Sequence, residues 1–340
     1  MKRRNFLHTL LAGSGLASVQ VLPVAARGSS ADTQTPPSTG ASGRGAGRER
    51  IIDVHLHAYP ADAALPASLT NPATGTPTEA RTGHAHMQAC LAEMKRLNIV
   101  KGIVSGGDGD RLAAAWHWQD AAPDRFLAAA GIRGSEEIPL PELGLLRKAF
   151  QDRRLHVLGE VTAQYAGLSL SDAKYEPYLA LAEEYDVPVG VHTGLGPDGI
   201  SYDPCCRGFR ASLGNPALLE EALNRHPKLR VNIMHGGWPF MQETIAVLSM
   251  YPQVNMDVGA IDWILPRSAF HAYLTTLVQA GLGKRVMFGT DQMYWPEAIG
   301  RAVDAIDTAT FLSAAEKQDI FYNNAARFFR LDQPTERKSA

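Results

Sequence analysis

The sequence predicts an α/β protein, a (β/α)8 TIM barrel with a metal site at the C-terminal ends of its strands. Two observations predict it. From Ile51 onward, eight short apolar runs rich in β-branched residues alternate with longer stretches of helical periodicity. That alternation closes into a barrel of parallel strands wrapped by helices. Five of the runs also end in histidine or an acidic residue, and in such barrels the C-terminal strand ends meet at one mouth. The rival fold, a doubly wound open sheet, carries a glycine-rich phosphate turn after its first strand. Here the first run ends in His55-Leu56-His57 instead. No repeat of solenoid period is visible.

The chain has 340 residues, 45% of them hydrophobic and 20% charged, with a formal net charge of −2. This is an ordinary soluble composition, without the basic excess of a nucleic-acid partner. Residues 1–26 read as an export signal rather than fold. Lys2, Arg3 and Arg4 precede Phe6-Leu7, then a moderately apolar run from Leu10 to Val24 closes on Val24-Ala25-Ala26. The run, broken by Gly13, Ser14 and Gly15, falls short of the roughly 20 apolar residues of a stable membrane span. Arg3-Arg4 followed by Phe6-Leu7 resembles a twin-arginine signal, which implies the twin-arginine export machinery as partner and a periplasmic or secreted location. Residues 27–50, rich in Gly, Ser, Thr, Ala and Pro, read as a flexible linker. The barrel is expected over 51–332 and a short tail over 333–340.

The expected strands are Ile51–His57, Val100–Ser105, Phe126–Ile132, Val157–Val161, Val187–His192, Leu229–His235, Val254–Val258 and Arg285–Gly289. Each is a short apolar run, as helix-covered parallel strands require. Expected helices are Met87–Leu97, Pro139–Gln151 with prolines in its first turn, Tyr175–Tyr185, Ala217–His226, Met241–Ser249, Ser268–Ala280, Ser313–Phe321 and Asn324–Phe329. Two long connections, Ala58–Gly83 and Thr193–Gly214, leave C-terminal strand ends, where lids and binding loops sit. The odd count of three cysteines argues against a disulfide scaffold. Cys90 falls in a helical apolar pattern, and Cys205-Cys206 in a loop.

The chemistry is concentrated at the strand ends. In a strand, residues i and i+2 share a face, so His55 and His57 project together. Glu160 lies near the end of the fourth strand, His192 ends the fifth, His235 the sixth, and Asp291 follows the eighth at Gly289-Thr290-Asp291. Four imidazoles and two carboxylates suit zinc, with manganese as an alternative. His84-Ala85-His86 repeats the spacing at a loop-to-helix junction, where i and i+2 do not share a face; it reads as surface or a supporting layer. His117, His156, His226 and His271 fall outside the pattern and are expected on the surface. Tyr59, Tyr165, Trp238, Trp263, Tyr294 and Trp295 follow strand ends closely. Tyr165, Trp238 and Trp263 are candidate substrate contacts, with Arg133 after the third strand as partner for a substrate carboxylate. Arg207 and Arg210 in the fifth loop are weaker candidates of the same kind.

In order, His-x-His, Glu, His, His and Asp on these strands resemble the amidohydrolase superfamily of metal-dependent hydrolases. The likeness is closer to its amidohydrolase-2 branch, which includes decarboxylases and lactone hydrolases. It is carried by Asp53-Val54-His55-Leu56-His57, Met234-His235-Gly236-Gly237, Gly289-Thr290-Asp291 and Tyr322-Asn323-Asn324-Ala325-Ala326-Arg327, and it covers Ile51 to Leu331. Binuclear members often carry a carbamylated lysine on the fourth strand, where this chain has Glu160. The count of ions, one or two, therefore stays open. His55, His57, His192 and Asp291 would hold one; Glu160 and His235 would join for a second. The resemblance implies that Asp291 takes a proton from a water whose pKa the metal lowers to about 7. His235 polarises the substrate carbonyl or serves as a ligand. The expected activity is cleavage of a C–O or C–N bond in a small lactone, ester or amide. The alternative is non-oxidative decarboxylation of a small aromatic or unsaturated acid. A periplasmic metal- or solute-binding protein without turnover is the remaining class. A homo-oligomer is left open.

Overall fold

The computed structural model describes residues 49–106 and 111–331. The expected signal over 1–26, nearly all of the linker over 27–50 and the tail over 333–340 lie outside the described residues. Among the described residues, no helix is long and apolar enough to cross a membrane.

Eight strands form one parallel sheet in sequence order: β1 (Ile51–Ala58), β2 (Ile99–Gly106), β3 (Phe126–Ile132), β4 (Val157–Val161), β5 (Val189–Val191), β6 (Val231–Ile233), β7 (Val254–Asp257) and β8 (Val286–Met287). The backbone N–H of Val54 donates to the Phe288 carbonyl at 3.0 Å, which brings the chain just after β8 against β1. The result is a nearly closed (β/α)8 barrel, as the sequence predicts. All eight expected runs are strands. The later ones are shorter than expected because the backbone leaves the ladder early. After β6, residues Met234–Gly237 form a tight turn in which His235 and Gly236 take φ of 58° and 62°. After β8, Thr290 turns its N–H to the Asp53 carboxylate at 3.0 Å rather than to a strand.

Helices fill the outer ring: α1 (Gly83–Arg96), α2 (Arg111–Ala121), α3 (Leu143–Gln151), α4 (Glu176–Glu184), α5 (Glu220–Arg225), α6 (Met241–Met250), α7 (Ile261–Ile264), α8 (Arg267–Gln279), α9 (Glu297–Asp307), α10 (Ala314–Gln318) and α11 (Asn324–Phe329). The Thr82 side chain caps α1, accepting from Ala85 N–H, so the helix begins four residues before the expected Met87. Pro139 and Pro141 precede α3 instead of lying in its first turn. The expected helix Ser313–Phe321 divides into α10, with a Ser313–Glu316 capping box, and a wider π turn over Asp319–Asn323. Sequence periodicity missed α2 and α9. The buried face of α2 rests on Ala114 and Ala115 beside Trp118, a weak contrast with its polar face, whereas α9 is clearly amphipathic and buries Ile299, Val303 and Ile306.

The main core lies between strands and helices. A smaller one joins Ile52, Val54, Ile103, Ala129, Val157 and Met287 from the strands with Tyr322, Ala325, Ala326 and Phe328. Arg230, just before β6, donates to the Phe328 carbonyl, so the C-terminal segment plugs the N-terminal end of the barrel. The β1–β2 register shifts between Asp53 and Leu56. An irregularity of this kind re-aims side chains. It lets Ile52 and Val54 join the inner core while His55 and His57 still face the mouth.

Candidate metal centre

The strand ends bring all six expected residues into one buried cluster. The imidazole centroids of His55 and His57 lie 5.4 Å apart. Asp291 is pulled onto β1 by its backbone N–H, which donates to the His55 carbonyl at 2.7 Å. Its Oδ1 sits 2.9 Å from His57 Nε2 and 3.7 Å from His55 Nε2. Glu160 stands between two groups of donors. Its Oε2 faces His57 Nε2 at 3.5 Å and His55 Nε2 at 3.9 Å. Its Oε1 faces His192 Nδ1 at 2.7 Å and His235 Nε2 at 3.3 Å. Two sets of ligand atoms converge within 4.8 Å, His55 with His57 and Asp291, and His55 with Glu160 and His235. His192 falls outside both sets, yet its Nδ1 is 3.0 Å from His235 Nε2.

This donor set fits a divalent cation. His55 Nε2, His192 Nε2 and Asp291 Oδ1 are buried without a hydrogen-bond partner, and buried polar atoms are ordinarily satisfied. Imidazole nitrogens and carboxylate oxygens are the ligands zinc and manganese take. His235 and Asp291 hold positive φ of 58° and 47°, a region non-glycine residues seldom occupy. Gly259 and Gly289 leave room for the imidazole of His55: a Cβ on either would lie 2.9 Å from His55 Nδ1 or His55 Cβ, respectively.

Charge in the cluster is mutually dependent. Burial pushes the Glu160 carboxyl upward, but hydrogen bonds from His192 and His235 outweigh it and hold it well below the usual range. Buried Asp291 is brought to about 2 by the charges of His55 and His57. Burial opposes protonation of His55, and Asp291 and Asp257 overcome it, raising the group well above 6.5. His192 goes the other way, lowered by burial despite Glu160.

Three supporting residues escaped the sequence reading. Asp257, at the end of β7, is fully buried. It accepts from Gly259 N–H at 2.9 Å, His235 N–H at 3.2 Å and Asn232 Nδ2 at 2.7 Å, and lies 3.5 Å from His55 Nδ1. A polar residue at a strand end was the available signal, the same one that exposed the other five strands. Gln292 clamps the His57 backbone, accepting from its N–H at 3.0 Å and donating to its carbonyl at 2.9 Å. Asp53 accepts from His55 N–H at 3.1 Å and from the Thr290 hydroxyl at 2.6 Å. Burial lifts it to about 7 against those hydrogen bonds.

The remaining candidates divide. Arg133 is buried; its Nε donates to Thr162 Oγ1 at 3.3 Å, and its guanidinium lies 4.9 Å over the Tyr165 ring. Among the described residues no carboxylate forms an ion pair with it. Tyr165 meets His192 edge-on at 5.0 Å between centroids, so Arg133 and Tyr165 form one wall beside the cluster. Trp263 is 2% exposed. It donates its indole N–H to the Thr290 carbonyl at 2.8 Å and packs 6.0 Å from Trp295, which leaves it almost no surface for a substrate. Trp238 is half-buried, and its carbonyl packs against Gly194. Arg207 and Arg210 are exposed.

Of the other histidines, His86 falls on the buried side of its two alternatives, and the four expected on the surface are not exposed. His86 is fully buried in α1, 5.2 Å from Tyr59 and 5.8 Å from Trp118 between centroids, because the helix begins early enough to turn it inward. His226 is also buried, between Glu176 and Glu183 at 2.9 and 3.2 Å, while His117, His156 and His271 are half-buried rather than exposed. Cys90 is buried, in keeping with its apolar helical pattern, and free, whereas Cys205 and Cys206 are bonded to each other.

Fold and site together define a (β/α)8 barrel with a candidate metal centre at its C-terminal mouth. Residues 52–331 match the family model described as Amidohydrolase, and the chain belongs to that family. Over 161 residues, 43% of this chain, it is 23% identical to Protein fluG of Emericella nidulans; the match spans only 18% of that protein. Two solved barrels are similar in structure. A probable 2-pyrone-4,6-dicarboxylic acid hydrolase of Acinetobacter baumannii, with citric acid bound, superposes at a TM-score of 0.58 with 16% identity, over 83% of this chain and 100% of that one. A dihydroxybenzoic acid decarboxylase of Polaromonas sp., with bound manganese and 2-nitroresorcinol, also gives 0.58, at 12% identity over 84% and 98%.

Proposed function

We propose that the chain hydrolyses a C–O or C–N bond, foremost that of a lactone or ester, in a small substrate bearing a carboxylate. The observation that carries this reading is the placement of Glu160, which turns one oxygen to His55 and His57 and the other to His192 and His235. A carboxylate so placed suits two divalent ions, zinc foremost and manganese as the alternative, held by His55, His57, Glu160, His192, His235 and Asp291. Such ions supply Lewis acidity and lower the pKa of water. Asp291, ionised at neutral pH, accepts the proton. His235, whose Nδ1 faces the Gly259 carbonyl at 3.1 Å, offers its Nε2 either to an ion or to the substrate carbonyl oxygen. Arg133, over Tyr165, anchors the carboxylate by a charge-assisted pair.

Non-oxidative decarboxylation is the second reading, favoured by the likeness to the Polaromonas barrel. Product analysis separates the two. Incubation with 2-pyrone-4,6-dicarboxylate should yield a ring-opened acid carrying one oxygen from labelled water, whereas 2,6-dihydroxybenzoate, incubated separately, should remain intact. Release of carbon dioxide without water incorporation would overturn hydrolysis. We also propose export to the periplasm, supported by the Arg3-Arg4 signal and by a disulfide, a bond that persists in oxidising compartments; fractionation of cells producing the full chain tests it.

A further inference from the structure

The loop that follows β5 carries a feature the hydrolytic chemistry does not need. Cys205 and Cys206, neighbours in sequence, are bonded to each other, closing a small ring around a single peptide link. The ring sits against the wall formed by Arg133 and Tyr165. Cys206 is 1% exposed, and its Sγ accepts from Arg133 Nη1 at 3.9 Å. Phe209 N–H donates to the Cys206 carbonyl at 2.8 Å, and the Phe209 ring meets Tyr165 edge-on at 5.0 Å. Tyr165 in turn meets His192. Gln164 ties the same loop to the β4 end, donating to the carbonyls of Gly194 at 2.9 Å and Arg210 at 3.0 Å. Gly208 packs so closely on Gly167 that a Cβ there would lie 3.0 Å from the Gly167 Cα. One edge stays open, since Cys205 is only half-buried.

We infer that the Cys205–Cys206 disulfide is a redox-sensitive clamp that holds Arg133 and the Tyr165–Phe209 wall in the position that binds the substrate carboxylate. This rests on the proposed role of Arg133 as the carboxylate anchor. Bonded, the two sulfurs cannot choose separate rotamers, so Cys206 stays against the guanidinium. The reductant is a dithiol. Its first thiolate attacks the accessible Cys205 sulfur, breaking the Cys205–Cys206 bond and forming a mixed disulfide. Its second thiolate attacks that bond and closes the reductant's own disulfide. Two electrons pass to the protein, two protons follow, and both cysteines end as thiols, each free to select a rotamer. The loop then loses its hold on Arg133, and carboxylate affinity falls while the metal ligands are untouched.

The test uses the full metal-loaded chain, air-oxidised or treated with dithiothreitol and desalted under argon. Metal content is checked in both. Alkylation after unfolding should label one cysteine in the oxidised form and all three in the reduced form. Isophthalate, a planar dicarboxylate that is not hydrolysed, is titrated by calorimetry. Reduction should weaken its binding roughly tenfold, the scale of one charge-assisted hydrogen bond. It should also speed amide exchange across 194–214 without affecting β1. The double variant Cys205→Ser/Cys206→Ser should bind as the reduced protein does and ignore dithiothreitol. Unchanged exchange across 194–214 on reduction overturns the clamp whether or not isophthalate binds. Arg133→Lys separates the two claims. If it binds isophthalate as tightly as wild type, or if oxidised wild type binds none, the anchor falls and the clamp with it. If Arg133 matters but reduction does not change affinity, the clamp alone falls.

Discussion

His86 gives the sharpest test of how the barrel wall behind the metal centre is built. Its imidazole is fully buried between Tyr59 and Trp118, and Cys90 Sγ lies 3.8 Å from Nε2 and 4.0 Å from Nδ1. Burial drives its pKa from 6.5 down to about 4. Between those values the unfolded chain binds a proton that the folded chain refuses. Stability conferred by neutral His86 is therefore complete above pH 6.5 and is lost as pH falls towards 4, by up to about 3 kcal/mol at 1.36 kcal/mol per tenfold. Asp53, lifted to about 7, works in the opposite sense, since the folded chain binds its proton first and gains stability as pH falls through the same range. The wild-type curve mixes these effects, so the contrast with His86→Gln isolates one of them. The assay is urea unfolding from pH 7.5 to 4.5 on metal-stripped protein. The variant should be the less stable at pH 7.5, and the gap should narrow or reverse towards pH 4.5. Parallel curves would refute the claim that His86 is buried neutral.

Three further outcomes follow from the packing around the ligands. Asp257→Asn keeps the shape but removes the charge facing His55 Nδ1; metal affinity by chelator competition should fall about 10- to 100-fold with the fold intact, and unchanged affinity would deny Asp257 an orienting role. Gly289→Ala puts a Cβ 2.9 Å from that of His55; it should cost about 1–3 kcal/mol and lower bound metal though no ligand changes, as read by thermal melting and elemental analysis. Glu160→Gln should lower the metal content from two ions per chain to one, and a wild type that holds a single ion would remove the bridging role of Glu160.

The sequence revealed more of the strands than of what supports them. Strand runs such as Phe126–Ile132 and Val157–Val161 are found where expected, because a helix-covered strand must be apolar on both faces and short. The ligands were legible for a related reason, since a histidine or carboxylate that ends an apolar run has few structural uses. The supporting residues lack that contrast. Gln292 acts through two backbone hydrogen bonds to His57, a partnership across the barrel seam with no local pattern. The sequence leaves His86 between the surface and a supporting layer because its orientation depends on where α1 begins, and that is set by the Thr82 cap. Cys205 and Cys206 showed their adjacency but not their bond, which depends on a backbone turn that spacing does not encode.

The contact order at the mouth bears on hydrolysis against decarboxylation. Arg133 touches Tyr165, Tyr165 meets His192, and His192 hydrogen-bonds Glu160. Asp291 joins the cluster through His55 and His57 and also faces His235. On the proposed reading, a carboxylate held by Arg133 lies beside Tyr165, which itself meets His192. Decarboxylation would need the departing carboxylate among the ligands, where charge can be stabilised as the C–C bond breaks. Hydrolysis needs the opposite arrangement, a remote carboxylate as a handle and the scissile carbonyl over Glu160 and Asp291. The two demands make Arg133→Ala diagnostic. Loss of a handle should raise KM for a carboxylated lactone far more than it lowers kcat, because the reacting atoms remain in place. A variant with unchanged KM and a collapsed kcat would put the guanidinium at the reacting centre and favour decarboxylation.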